Sequence, residues 1–412
     1  MIINLEYLPA GSENRSMSNL PSATIEPTTS PVELLVPVAP PGLKGVIVTE
    51  TEIGDVRGSE GFYHYRQYSA VELAERRPLE DVWRLMVDGE LPRTAAEQIK
   101  FIDEVGPLRV IPPRLAAMLP GIARACTPMA GLSAALALAV AEHGCQPLYD
   151  LRESQRRADA LFVAALTPTL LTALYRLGNG LEPVAPRDDL DYAGNYLWML
   201  TGKEPQAAHA DALKHYLIST IDHGFNASTF TARVIASTGA DLGACVVGAL
   251  GALSGPLHGG APSRALELLD EIGSRERARE VVTRKLLDGE RIMGFGHAVY
   301  RTEDPRSRML REVARGLGGP LVELAIETES TVVEVLAELK PGRSLYANVE
   351  FYAGVVMSLC GIPAEMFTAT FASSRVVGWS ANILEQARDP KIIRPSARYV
   401  GPPAPLEVPV VV

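Results

Sequence analysis

Between Pro78 and Gly89, apolar residues Leu79, Val82, Trp83, Met86 and Val87 recur at i, i+3, i+4, i+7 and i+8. This spacing lines one face of a helix, so it predicts an amphipathic helix that starts behind Pro78 and stops at Gly89. Similar stripes predict helices over His209–Ile221 and Val332–Leu339. Ala244–Leu253 is made of Ala, Gly, Val, Leu and Cys all round, which predicts a helix packed on every side by other helices. A Val/Ile/Thr-rich stretch, Val46–Thr51, predicts a small strand. No series of short apolar strands alternates with helices, and no G-x-G-x-x-G follows a strand. A doubly wound dinucleotide-binding sheet therefore fits poorly, and the chain is expected to be mostly α-helical.

Residues 1–42 are polar and rich in Pro, Ser and Thr, ending in Pro40-Pro41-Gly42, and are expected to be a flexible extension. Met1–Tyr7 lacks a basic segment followed by an apolar core, so no secretory signal is expected. The longest uncharged run, Leu242 to Ser263, is rich in glycine and holds Pro256 and His258. It fits a packed internal helix followed by a loop better than a membrane span.

A chain of 412 residues can bury one large core or two, and 47% hydrophobic with 21% charged residues lies in the globular range. The formal charge of −10 disfavours nucleic acid or an anionic membrane as partner. A few arginines focused in a cleft can still attract a small anion. Cys126, Cys145, Cys245 and Cys360 are scattered and contain no C-x-x-C pair, so reduced thiols and a cytoplasmic location are expected.

Three histidines stand in glycine-bearing segments: His223 in Asp-His-Gly-Phe-Asn, His258 in Gly-Pro-Leu-His-Gly-Gly, and His297 in Gly-Phe-Gly-His-Ala. Glycine lets the backbone approach a ligand closely, and imidazole exchanges protons near neutral pH, so such sites suit acid–base work. For each alone, a structural role is as good a reading. A zinc site is a weak rival because the three are far apart in sequence. His64, His143, His209 and His215 sit in ordinary contexts and read as surface or satisfied structural residues.

Arg301, Arg306 and Arg308 follow His297 in a segment that by itself reads better as a solvated charged turn. Arg375 and Arg394 are different. Arg375 in particular lies among small and apolar residues, where a charge that cannot be shed needs an anionic partner or solvent. Guanidinium forks match planar carboxylates, which points to a dicarboxylate ligand. Glu350, in Asn-Val-Glu-Phe-Tyr, lies among apolar and aromatic residues at a predicted helix entrance. A desolvated carboxylate is a stronger base, although one at a helix start also simply stabilises the dipole.

Together these segments resemble citrate synthases. The resemblance runs from Gly42-Leu-Lys-Gly-Val and Tyr65-Arg66 through the three histidine motifs and Asn348-Val-Glu-Phe to Arg394-Pro395 and Tyr399-Val-Gly. It implies a mostly helical two-domain fold, with a large domain over 43–257 plus 356–412 and a small domain over 258–355, hinged across the active-site cleft. It also implies a homodimer in which Arg394 reaches the neighbouring subunit's site. The implied reaction is condensation of acetyl-CoA with oxaloacetate and hydrolysis to citrate and CoA, the acyltransferase step that feeds the tricarboxylic acid cycle. Oxaloacetate would be held by His223, Arg306, Arg375 and the neighbour's Arg394. His297 would polarise the ketone, Glu350 would take the methyl proton and His258 would stabilise the enolate. Arg301 would contact CoA phosphates, and neither metal nor further cofactor is implied. The chain departs from the family's usual aspartate at Glu350, and from its His-Gly-Gly-Ala-Asn-Glu run at Pro262-Ser263-Arg264. The alternatives are a 2-methylcitrate synthase using propionyl-CoA, and a catalytically weak paralogue that binds dicarboxylate or CoA to regulate a partner.

Overall fold

The computed structural model describes residues 38–256, 258–259, 261–297, 299–339 and 345–409. Most of the expected leader and Leu257, Gly260, Ala298 and the side chains of 261–263 lie outside the description. The chain divides after Glu50 into two units. In the first, the described residues hold a 3₁₀ turn at Pro41–Leu43 followed by irregular backbone. The strand expected at Val46–Thr51 is absent. β-Branched residues favour extended backbone, but a strand needs a ladder partner and a face to bury, and Ile47 is 88% exposed.

The strands lie instead just downstream, as an antiparallel meander of β1 (Gly54–Arg57), β2 (Phe62–Tyr65) and β3 (Tyr68–Ser69). Its register pairs Gly54 with Tyr65 and Val56 with Tyr63. Tyr63 and Tyr65 alternate inward and are buried. Their hydroxyls donate to the carbonyls of Ser219 (3.2 Å) and Ile218 (2.8 Å), which pins the sheet to a helix end. Arg66 closes the β2–β3 turn with a positive φ of 51°, its Nη2 donating to the Met86 carbonyl at 2.8 Å.

The rest is helical. The first half holds α1 (Ala70–Arg76), α2 (Leu79–Asp88), α3 (Ala95–Val105), α4 (Pro113–Ala125), α5 (Pro128–His143) and α6 (Glu153–Gly178). Then come α7 (Tyr192–Thr201), α8 (Ala207–Thr220), α9 (Ala227–Ala236) and α10 (Leu242–Leu253). The remainder is α11 (Ala261–Ile272), α12 (Arg275–Leu287), α13 (Pro305–Leu317), α14 (Pro320–Leu339), α15 (Val349–Leu359) and α16 (Phe367–Gln386). The helix expected from Leu79 is α2, with Pro78 at its N-cap and Gly89 in the left-handed conformation at its C-cap. The stripes at 209–221 and 332–339 fall in α8 and α14.

α6 and α16 cross at the centre of the main core, with α2, α4, α5, α7, α8, α9 and α10 packed around them. α6 is long and apolar enough to cross a membrane by length and composition. Yet 83% of its apolar stretch is buried within the protein, as in a core helix. α10 departs from its expected enclosure: Leu242, Cys245, Val246, Ala249 and Leu250 are buried, but Ala244 and Gly251 remain exposed. A second, smaller apolar cluster forms from Leu268, Ile272, Val281, Val282, Val332 and Val335 of α11, α12 and α14. All four cysteines are free thiols.

Candidate active site

Five chain segments converge on one cleft of about 640 Å³. His223 comes from the α8–α9 connection, His258 from the turn after α10, and His297 and Arg306 from either side of the α13 start. Glu350 comes from the first turn of α15, and Arg375 from the middle of α16. The sequence-predicted histidines, the carboxylate and two of the arginines are thus neighbours in space. Arg301 lines an adjoining cavity of about 320 Å³ that shares His297. Arg394 lies in the exposed, irregular segment after α16 and lines neither cavity.

Local structure explains each placement. The segment of His297 is held to that of Glu350 by Asn348 N–H donating to the Gly294 carbonyl (2.8 Å), and by Gly296 N–H donating to the Tyr346 carbonyl (2.9 Å). Gly294 and Gly296 take φ values of 82° and 86°, and a Cβ on Gly294 would come within 3.0 Å of Phe351. The tight turn before His297 therefore requires glycine. Asn348 caps α15 through Oδ1, which accepts from the Glu350 N–H at 3.1 Å.

His297 has its tautomer set by the backbone. Its Nδ1 accepts from Val299 N–H (2.9 Å) and Tyr300 N–H (3.0 Å), so the ring proton of the neutral imidazole sits on Nε2. Arg306 Nη2 lies 3.2 Å from that Nε2. Two donors cannot satisfy each other, and an acceptor oxygen placed between them would receive both. Arg306 is buried and grips Asp304 bidentately, Nε to Oδ1 at 3.0 Å and Nη2 to Oδ2 at 2.8 Å. Asp304 also caps α13 and accepts from Val349 N–H at 3.2 Å. Burial alone would raise its carboxyl, but the Arg306 guanidinium outweighs that and holds it below the ordinary value.

Arg375 is 2% exposed. Its Nε donates to the Thr220 carbonyl at 2.8 Å and its guanidinium lies 4.6 Å from the Phe371 ring centre. It forms no ion pair among the described residues, which leaves the outer edge of its fork for an anion. His223 bonds through Nε2 to Tyr300 Oη at 3.0 Å. Burial, reinforced by Arg306, His297 and Arg375, keeps His223 neutral well below its ordinary titration range. Burial, helped by nearby guanidinium groups, likewise lowers His258 and His297 to about 4, so all three rings are neutral at pH 7. The histidines and Glu350 do not converge as a metal-ligating group among the described residues, and the neighbouring guanidinium groups would repel a cation.

Glu350 is partly buried, and desolvation raises its carboxyl from 4.5 to about 7; Arg306 opposes the shift and Asp304 adds to it. It is thus a base poised near neutrality. His258 Nε2 lies 2.8 Å from Ser228 Oγ, an oxygen that also accepts from Trp379 Nε1 at 3.3 Å and lies 2.8 Å from Asn226 Oδ1. The Ser228 hydroxyl donates to Asn226 Oδ1, so in this arrangement His258 Nε2 donates to Ser228 Oγ. With the hydroxyl turned to His258 Nε2 instead, the ring proton would sit on Nδ1.

Sequence reasoning missed Ser228, Asn226, Tyr300 and Asp304. The Asp-Pro-Arg run at 304–306, with an N-capping residue followed by proline, was a readable signal for Asp304. Nothing local marks Ser228, which meets His258 from 30 residues away.

The model of the citrate synthase C-terminal domain family matches residues 42–396. The chain is 40% identical over 372 residues to a putative citrate synthase 2 of Mycobacterium tuberculosis, covering 88% of this chain and 93% of that protein. It is 36% identical over 367 residues to a 2-methylcitrate synthase of Shewanella oneidensis, covering 87% and 94%. Among solved structures, the ternary complex of citrate synthase from the thermophilic archaeon Thermoplasma acidophilum with carboxymethyl coenzyme A and oxaloacetate superposes with a TM-score of 0.82. It is 29% identical and covers 90% of this chain and 98% of that one.

Proposed function

This chain belongs to the citrate synthase family, enzymes that condense acetyl-CoA with oxaloacetate, and we propose that the cleft performs that reaction with Glu350 as its base. The observation that carries the proposal is the pairing of Glu350, raised to about 7, with buried cationic forks that have donors left for a dianion.

In this reading Arg375, Arg306 and His223 hold the oxaloacetate carboxylates. The ketone oxygen sits between His297 Nε2–H and Arg306 Nη2, where both donors draw electrons from the carbonyl carbon. Glu350 takes a proton from the thioester methyl, and neutral His258, once the Ser228 hydroxyl turns to its Nε2, donates from Nδ1 to the oxygen that gains charge. Stabilising the enolate is as necessary as the base, because a thioester α-proton is far less acidic than any carboxylic acid. The enolate carbon then attacks the ketone carbon, and the ketone oxygen takes the proton of His297 Nε2 as the carbon–carbon bond forms, the ring regaining one from solvent. Water attacks the resulting citryl thioester, releasing citrate and free CoA thiol. No step needs a metal.

The domain division at 258 and 356 draws its support from the separate apolar cluster of α11, α12 and α14, while α13 and α15 pack in the main core. A homodimer is supported by the exposed small residues of α10, and by Leu138 and Met118, exposed at 37% and 48%. Arg394 would then complete the neighbour's oxaloacetate site, and Arg301 would meet CoA phosphates from the adjoining cavity. The reading places the enzyme in the cytoplasm as a tricarboxylic acid cycle catalyst.

The similarity to a 2-methylcitrate synthase favours one other donor, propionyl-CoA, which differs by a single methyl group. Thiol release measured with acetyl-CoA and propionyl-CoA side by side distinguishes them. Faster oxaloacetate-dependent release from acetyl-CoA is expected, and a clear preference for propionyl-CoA would reassign the donor. Release from neither, with oxaloacetate still raising Tm, would make the chain a binding paralogue.

A further inference from the structure

We propose that His143, Cys145 and Asp159 form a binding site for one divalent transition-metal ion of the zinc class, apart from the catalytic cleft. One ligand atom from each lies within 4.8 Å of the others, and none of the three lines the cleft. The grouping is built by local structure. α5 ends in a Schellman turn: Gly144 takes φ 79°, its N–H donates to the Ala141 carbonyl, and Cys145 N–H donates to the Val140 carbonyl at 3.2 Å. That turn folds Cys145 back against the helix end that carries His143. Asp159 reaches the same point from the second turn of α6. Phe162, one turn further along α6, stacks on the His143 ring at 3.8 Å with an interplanar angle of 9°, fixing the imidazole plane over this stretch of helix.

The independent observation is the state of Asp159. Its residue is 9% exposed, its Oδ2 is buried without a hydrogen-bond partner, and it pairs with no Lys or Arg among the described residues. A cation bound beside that oxygen would satisfy it. Asp241, the N-cap of α10, interacts with both Asp159 and Cys145 and makes the surroundings more negative still.

One nitrogen, one sulfur and one oxygen donor, completed by a water, match four-coordinate zinc. The thiolate and imidazole select it over magnesium or calcium. The Cys145 thiol proton leaves to solvent as the sulfur–metal bond forms. The ion would tie the end of α5 to α6 and stabilise the native state without entering the reaction.

The test uses the full-length, metal-stripped protein with Co²⁺ as a spectroscopic probe and Zn²⁺ as competitor. Expected are one Co²⁺ per chain with a thiolate-to-metal charge-transfer band, displacement of that band by Zn²⁺, and a rise in Tm. Cys145→Ser should abolish the band and Asp159→Asn should weaken binding at least about 10-fold, both with unchanged basal turnover. In the wild type, Zn²⁺ should also slow alkylation of Cys145 while leaving Cys126 unaffected, a readout that needs no variant. A cobalt spectrum without the charge-transfer band, or Cys145 labelled equally fast with and without Zn²⁺, would overturn the assignment.

Discussion

His297 Nε2 and Arg306 Nη2 lie 3.2 Å apart as two donors with no acceptor between them. Backbone N–H groups fix the His297 tautomer, and Asp304 fixes the Arg306 guanidinium, so neither can turn away to relieve the contact. In the proposed reaction a ketone oxygen accepts from both. His297→Ala should therefore lower kcat/KM by about 10²–10³, the loss typical of one preorganised donor at a developing oxyanion. Steady-state kinetics with oxaloacetate varied at saturating acetyl-CoA would measure it. The fall should appear largely in kcat, because the proposed carboxylate anchors, Arg306 and Arg375, remain.

Glu350 sets activity against stability. Its carboxyl is raised from 4.5 to about 7, so the folded protein binds the proton more tightly than the unfolded chain does. Stability associated with this group is greatest below 4.5 and falls as pH rises toward 7, by up to about 3 kcal/mol above both values. Glu350→Gln removes the buried charge. It should raise Tm at pH 8 while lowering kcat by about 10²–10⁴, the range for loss of a general base. Thermal melts and turnover on the same preparation would show both effects.

The same titration governs the rate. The base must be ionised to accept a proton, so kcat/KM should rise through an inflection near 7. It should show no second inflection from His258 or His297 above pH 5, since both are lowered to about 4. A pH–rate profile from 5 to 9 checks this.

Glu350→Asp restores the residue common in the family but shortens the reach by one methylene. α15 and its Asn348 cap hold the backbone where a glutamate serves. The variant should lose about 10²-fold in kcat, the scale of an ångström's misplacement, with KM for oxaloacetate little changed.

Arg375 is buried without an ion pair among the described residues, so its charge weakens the apo protein, and in the proposed reaction it is offset by the bound dianion. Arg375→Leu should leave apo Tm equal or higher and should eliminate most of the Tm rise caused by oxaloacetate. Differential scanning fluorimetry with and without the dianion measures both.

Much of this was legible in the chain because local periodicity suffices for helices such as α2 and α8, whose caps and stripes are written in consecutive residues. The strand expectation at Val46–Thr51 failed because propensity does not supply a pairing partner, whereas Tyr63 and Tyr65 found one in β1. The apolar run of α10 reads as an enclosed helix, yet Ala244 and Gly251 are exposed, because composition alone does not say which helices pack against a given face. In the site, His223, His258, His297, Glu350 and Arg375 were visible as unusual residues in unusual company, whereas Arg306 sat in what read as a charged turn and was picked out only by the family resemblance. Ser228 was not, because its importance rests wholly on the 2.8 Å contact with a histidine 30 residues away. Arg394, read from its motif as a residue of the neighbouring subunit's site, lines neither cavity described for its own chain.

The most direct test of the central claim is CoA thiol release from acetyl-CoA by the purified chain, with and without oxaloacetate, beside Glu350→Gln. The account predicts release that depends on oxaloacetate and falls at least about 10²-fold in the variant. Full turnover by Glu350→Gln would contradict it, because the proton would then be taken by some other group.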